Sequence, residues 1–232
     1  MKVGNILKPA KSVPKTWWSS DNPMSIKPKF STLSILILGE FIFGVGDALL
    51  ISAEIGNTPW TVLAEGISII TGITVGQSTF AVSVGVLFLW IPIKEIPGIG
   101  TILNAIIIAV TIDIMVPILP TPENYLFKIL QVFCGVILIG IGSSMYLTAN
   151  LGPGPRDGWM TGIQRVTGIP IGRVRITIEV SVLVIGTLLG GNLGLGTVLF
   201  AVTIGRTVAI CLAISEKIGS SQINRTDLNS NQ

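Results

Sequence analysis

The chain carries one pattern twice, and this duplication limits what it can fold into more than any other feature. Shifted by 96 residues, GVGDALLISAEIGNTPWTVLAEGISIITGITVG (44–76) lies without a gap on GIGSSMYLTANLGPGPRDGWMTGIQRVTGIPIG (140–172). Gly44 falls on Gly140, Gly46 on Gly142, Gly56 on Gly152, Pro59 on Pro155, Gly66 on Gly162, Gly72 on Gly168 and Gly76 on Gly172. Further along, Gly98, Gly100 and Thr101 meet Gly194, Gly196 and Thr197. Shared apolar composition does not keep so many glycines and prolines in register, so the two halves are copies of one unit.

Composition says where that unit lives. At 49% hydrophobic and 12% charged, with a mean hydropathy of +0.76, the 232 residues are too apolar for an ordinary soluble domain and suit a lipid bilayer. The net charge of +3 reflects lysines crowded at the ends, which suits membrane flanks and not nucleic-acid binding. Cys134 and Cys211 stand alone inside apolar runs and read as small core residues; with no His in the chain, zinc, haem and Cys/His chemistry lack their ligands, and no cofactor is expected. Residues 1–29 are polar and dotted with lysines, so the first apolar run reads as a retained span and not a signal peptide.

An all-α membrane protein of about six transmembrane helices follows. A flexible or surface-lying cytoplasmic tail (1–30) with Trp17-Trp18 at headgroup level precedes membrane repeat 1 (31–119), a linker (120–125), membrane repeat 2 (126–215) and a disordered cytoplasmic tail (216–232). The spans are 31–53, 75–93, 99–119, 126–149, 171–190 and 195–215, each long enough at about 1.5 Å per residue to cross roughly 30 Å of hydrocarbon. Segments 54–74 and 150–170 open with Gly/Pro breaks and continue as half-helices too short to span, re-entrant or interfacial. Arg and Lys fall in both tails, the Lys94 loop and loop 150–173, whereas loops 54–74, 120–125 and 190–194 hold none; both termini are therefore expected in the cytoplasm. Three spans per copy, an odd number, turn the second copy upside down, giving an inverted repeat.

The candidate functional residues sit in the two Gly/Pro loops. A half-helix beginning near Pro155 aims unsatisfied N–H groups at whatever lies beside it, a site for an anion that Arg156 would reinforce. If both half-helices converge on one cavity, Arg156 and Asp157, with Asn150, Gly152, Gly154 and Pro155, flank its inner mouth; Glu54, Asn57 and Glu65 flank its outer one. The competing reading of the same loops is structural: glycines make a tight turn, and prolines stop one helix and start another. Intramembrane Glu40, Asp47, Asp113, Glu179 and Arg206 are costly in lipid and should face the bundle interior, paired for instance as Arg206 with Glu179 or Asp47. Glu40 and Asp47, seven residues apart, share a helix face.

The string YLTANLGPGPRDGWMTGI (146–163), with the following TGIPIG and the later GLGT, resembles the YczE/YyaS/YitT group of bacterial integral membrane proteins, closest to its YczE-like branch. The resemblance implies a multi-pass protein of the bacterial inner membrane and supplies no substrate or catalytic residue. Phosphate-binding loops, HExxH, GxSxG and Ser/His/Asp sets are missing, so an enzyme is not expected, and an intramembrane enzyme using carboxylates is the least favoured alternative. The favoured expectation is a transporter or channel for a small, anionic solute; the alternative is a non-transporting scaffold or accessory subunit. Oligomeric state does not follow from the sequence.

Overall fold

The computed structural model describes residue 10 and residues 12–229, without the side chains of 220–229. Expectations for residues 1–9, 11 and 230–232, Lys2, Lys8 and Lys11 among them, fall outside the described residues. Every regular element described is a helix: α1 (Phe30–Ala53), α2 (Pro59–Thr71), α3 (Val75–Phe88), α4 (Trp90–Ile93), α5 (Ile99–Met115), α6 (Tyr125–Ala149), α7 (Pro155–Thr167), α8 (Ile171–Leu188) and α9 (Leu195–Asn229).

Four stretches are long and apolar enough to cross a membrane: Phe30–Ala53, Val75–Ile93, Tyr125–Ala149 and Leu195–Gly219. The other two expected spans are weaker. Helix α5 is apolar but has only 17 residues, and α8 carries Arg173, Arg175 and Glu179 within its 18. The second apolar stretch is broken at Leu89, ahead of Pro92, into α3 and the single turn α4.

Local chemistry sets the boundaries. Thr58 caps α2 by accepting the Thr61 N–H, Pro59 occupies the first helical position, and Gly72 closes the helix at φ +76°. In the second copy Pro155 again takes the first helical position and Gly168 (φ +71°) closes α7, while Gly154 stands at the N-cap with no side chain to accept an N–H, so the two half-helices match in backbone but not in capping. The turns before them match as well: Glu54 and Asn150 are left-handed, at φ 57° and 53°, and Gly56 and Gly152 follow at 114° and 103°. A side chain is strained at the last two, which explains glycine in both copies.

Helices α1 and α6 form the central pair. A Cβ at Gly46 would lie 2.7 Å from the Gly135 carbonyl, and one at Gly135 would lie 2.8 Å from the Gly46 carbonyl, so these glycines let the two backbones touch. Each copy then reaches across into the other. The Gly100 N–H donates to Leu151 O at 2.8 Å; the matching Gly196 N–H donates to Ile55 O at 2.7 Å. Around this frame α5 packs on α1, α9 on α6, and α8 on α2.

Several expectations change. The stretch 12–29 is not a loose tail: Trp18 is buried and donates Nε1–H to Thr148 Oγ1 at 3.0 Å, Ser19 Oγ donates to Thr148 O, and Ser20 N–H donates to Ala149 O. Only Trp17 of the tryptophan pair is exposed. The small and hydroxyl side chains of this stretch satisfy the end of α6, which a polar composition does not announce. At the other end α9 stays helical to Asn229, because no proline or capping glycine stops it at 216. Cys134 points outward and is exposed, since lipid solvates a thiol on a helix exterior as readily as a core does; Cys211 is half-buried.

Candidate functional site

The first turns of α2 and α7 meet inside the bundle. Residues 60 and 156 occupy matching places in the two copies, and the Arg156 guanidinium lies 5.2 Å from the centroid of the Trp60 ring, a cation–π contact. Trp60 also meets Trp159 of α7 edge to face, with ring centroids 6.4 Å apart. Beside this contact is a cavity of about 160 Å³, with Thr58, Pro59 and Trp60 on one side and Gly154, Arg156 and Asp157 on another. Both half-helices therefore turn their N-terminal ends, where free N–H groups and the positive end of the helix dipole lie, toward one space.

The remaining walls bring in more polar groups. Tyr146 of α6 donates its hydroxyl to Asp157 Oδ2 at 2.5 Å, and its ring packs edge to face on Phe43. Asn104 of α5 and Ser143 of α6 line the same space. On α8, Arg175 and Glu179 pair at 2.8 Å one helical turn apart and form part of the lining. Opposite them stand Phe200, Ile204 and Val208 of α9.

Two carboxylates lie deep in α1. Glu40 and Asp47 are both 0% exposed, and none of their four oxygens has a hydrogen-bond partner of full geometry. Asn104 is the polar side chain acting on Glu40; Thr61 and the Arg156 guanidinium act on Asp47. Arg156 thus sits in the field of the Asp47 and Asp157 carboxylates while remaining partly open to the cavity. Such an arginine is held in place by charge and offers its remaining N–H donors to a solute.

The expected site residues separate into two groups. Gly154, Arg156 and Asp157 line the cavity; Pro155 is buried next to it, its carbonyl accepting the Trp90 Nε1–H at 2.9 Å. The others hold the frame. Asn150 caps α6 and donates its side-chain amide to Ser20 O, and Gly152 packs on Gly98 and Thr101. Glu54 is exposed and 3.2 Å from Lys128. Glu65 Oε2 accepts from Asn57 Nδ2 at 2.8 Å and from the Asn192 N–H at 2.7 Å, tying α2 to the α8–α9 turn. None of these three outer-loop residues lines the cavity: Glu65 and the Asn57 amide are engaged at that turn and Glu54 lies by Lys128, while Asn57 Oδ1 is buried without a partner.

The intramembrane charges divide in a similar way. Glu40 and Asp47 face the interior as expected. Asp113 is half-buried and accepts from Thr74 Oγ1 at 2.6 Å and from the Gly76 N–H at 2.8 Å. Arg206 corrects the expectation: it is exposed on the outside of α9 and makes no ion pair among the described residues, while the Glu179 proposed for it pairs with Arg175. The rotation of α9 is set by Phe200 and Ile204, which turn inward and carry position 206 outward. Tyr146, Trp60, Asn104 and Arg175 were missed as site residues; the shift of 96 that lays Trp60 on Arg156 was the available signal. Among the described residues no group of three or more His, Cys, Asp or Glu is placed to hold a metal ion.

Comparison with known proteins agrees with a membrane protein of undefined activity. The chain is 40% identical over 211 residues to an uncharacterized protein of Haemophilus influenzae, covering 91% of this chain and 96% of that one. It is 35% identical over 179 residues to the uncharacterized membrane protein YczE of Bacillus subtilis, covering 76% and 80%, and 26% identical over 184 residues to the uncharacterized protein YyaS of the same organism, covering 78% and 92%. No solved structure matches significantly. The resemblance to the YczE/YyaS group therefore holds, and because the model of the family of unknown function DUF6198 matches residues 30–213, almost the whole helical body, the chain belongs to that family.

Proposed function

We propose that this protein is a transporter for a small solute bearing an anionic group, built from two inverted three-span repeats in the bacterial inner membrane with both termini in the cytoplasm. One observation carries the reading: the N-terminal ends of two matching half-helices meet at a single cavity in the bundle, with Arg156 between them. Broken helices at corresponding places in two repeats are where membrane transporters bind their solutes, since free N–H groups at membrane depth are tolerated only where they face a cavity or ligand. The solute's anionic group would take the free N–H groups of α7 and the open side of Arg156, and the α2 end would contact its other face. Short α5 and charged α8 complete the six spans, α8 keeping Arg175 and Glu179 toward the cavity.

Uptake of a panel of small labelled carboxylates and phosphates into vesicles reconstituted with the full chain tests this. Uptake of at least one compound is expected with the wild type and its loss with Arg156→Ala, at an unchanged amount of protein in the membrane. Equal uptake by protein-containing and empty vesicles for the whole panel overturns the reading. The scaffold alternative draws support from one observation: Arg175 with Glu179, and Asp157 with Tyr146, already satisfy each other without a solute. It expects Arg156 to be exchangeable for Ala without consequence. Topology is checked separately: Leu193→Cys should react with an impermeant maleimide from outside and Thr167→Cys from inside.

A further inference from the structure

The two copies share a backbone plan but differ in how their outer helices close. In copy one, α3 lies on α5. Gly76 is pressed against the Ala109 carbonyl and Asp113, and the Asp113 carboxylate binds the start of α3 through Thr74 Oγ1 and the Gly76 N–H. The matching residues in copy two are Gly172 on α8, and Gly205 and Ala209 on α9. Small residues are kept: Ala105 and Ala109 of α5 correspond to Ala201 and Gly205 of α9, so the surface that receives α3 in copy one has a counterpart of the same shape. Yet a Cβ at Gly172 or at Gly205 would meet no atom within 4 Å. Helix α8 packs on α2 and α7 instead of α9. The candidate cavity lies in this gap, with Arg175 and Glu179 of α8 facing Ile204 and Val208 of α9 across it. The carboxylate that latches copy one is absent, since position 209 is alanine.

We infer that α8 and α9 are the moving wall of the proposed solute site: bringing Gly172 onto Gly205 seals the cavity on that side, in the packing Gly76 and Ala109 already have in copy one. The inference rests on the transport reading for its purpose and on the geometry of the two copies for its substance. Matching surfaces with small residues let the helices approach closely. With no carboxylate at 209 to bind the start of α8, closure is reversible, whereas the Asp113 latch holds the other side shut. In the proposed orientation the open side faces the cytoplasm.

The test requires no knowledge of the solute. In full-length protein with Cys134→Ser and Cys211→Ser, reconstituted in vesicles, Ser143→Cys places the one thiol in the cavity wall, and its labelling by a water-soluble maleimide reports access. Gly205→Leu, whose side chain enters open space, should raise labelling by blocking closure. Ala209→Asp supplies a carboxylate for the Gly172 N–H, the half of the latch that copy two can form because Pro170 stands in place of Thr74, and should lower it. Both should leave the melting temperature of the detergent-solubilised protein near that of the parent, which separates altered access from misfolding. Independently, Gly172→Cys with Gly205→Cys should form an intrachain disulfide under mild oxidation. Equal labelling of parent, Gly205→Leu and Ala209→Asp overturns the inference, as does a pair that never cross-links or links only two chains together, which would make this face an interface between copies. Failure here with successful uptake leaves the transport reading intact; a moving wall without uptake removes transport and keeps the motion.

Discussion

Copy one and copy two have the same turns, the same half-helices and reciprocal hydrogen bonds, yet one is shut and the other open. What they share is backbone: Gly56 and Gly152 at positive φ, Pro59 and Pro155 at the first helical position, Gly100 and Gly196 donating across to the other copy. They differ in a few side chains placed on that common backbone. Trp60 against Arg156 gives the shared cavity one aromatic and one cationic side, and Asp113 against Ala209 gives only one copy a latch. A duplicated fold thus gains direction through substitutions that leave its helix boundaries in register.

The largest test of that contrast is a pair of valines. Gly76→Val drives a side chain into the α5 backbone and should cost about 3 kcal/mol of stability, while Gly172→Val should cost almost none, by thermal denaturation in detergent. Equal losses would mean that α8 packs on α9 as α3 does on α5. Next is the latch: Asp113→Ala removes two hydrogen bonds to a carboxylate and should cost about 2 kcal/mol, whereas Ala209→Ser should change little. A smaller difference sharpens the comparison at the crossing points. Thr101 donates to Pro153 O at 2.7 Å besides receiving the Gly98 N–H, while Thr197 only receives the Gly194 N–H at 3.4 Å; Thr101→Val should therefore lose about 1 kcal/mol more than Thr197→Val. The smallest effect is expected on the exterior of α9, where Arg206→Leu should move stability by no more than about 0.5 kcal/mol. A clear destabilisation there would reveal a partner, protein or lipid, covering that guanidinium.

Helix ends were legible because they depend on local chemistry. Prolines and glycines placed α2 and α7 within the expected segments, and the charge they would carry into lipid placed Glu40 and Asp47 inside. Helix rotation was less legible. A soluble helix announces its buried face by an apolar stripe, but in the 195–215 part of α9 apolar residues fall on every side, so inward Phe200 and outward Val202 look alike in sequence and the orientation of Arg206 is hidden. The cavity was half visible. The repeat brought the two half-helix ends together, but the partnership of Asp157 with Tyr146 and the wall contributed by Arg175 depend on how α6, α7 and α8 pack. The outer-loop residues Glu54, Asn57 and Glu65 were read by symmetry as a second mouth; Glu65 instead secures the α8–α9 turn.

The contacts of Ala10, Thr16 and Trp18 have a consequence for the order in which the molecule is put together. Ala10 N–H donates to Ala209 O, Thr16 lies against Gly219, and Trp18 reaches Thr148, 130 residues further along the chain. At bacterial synthesis rates the ribosome needs on the order of ten seconds to make those 130 residues, and longer to reach α9. A segment made early is therefore seated late, after both of its supports have been delivered to the bilayer, and it joins the end of α6 to the middle of α9 as a closing stitch. Bulky additions ahead of Ala10 should slow maturation of the finished protein more than equal additions after Asn229.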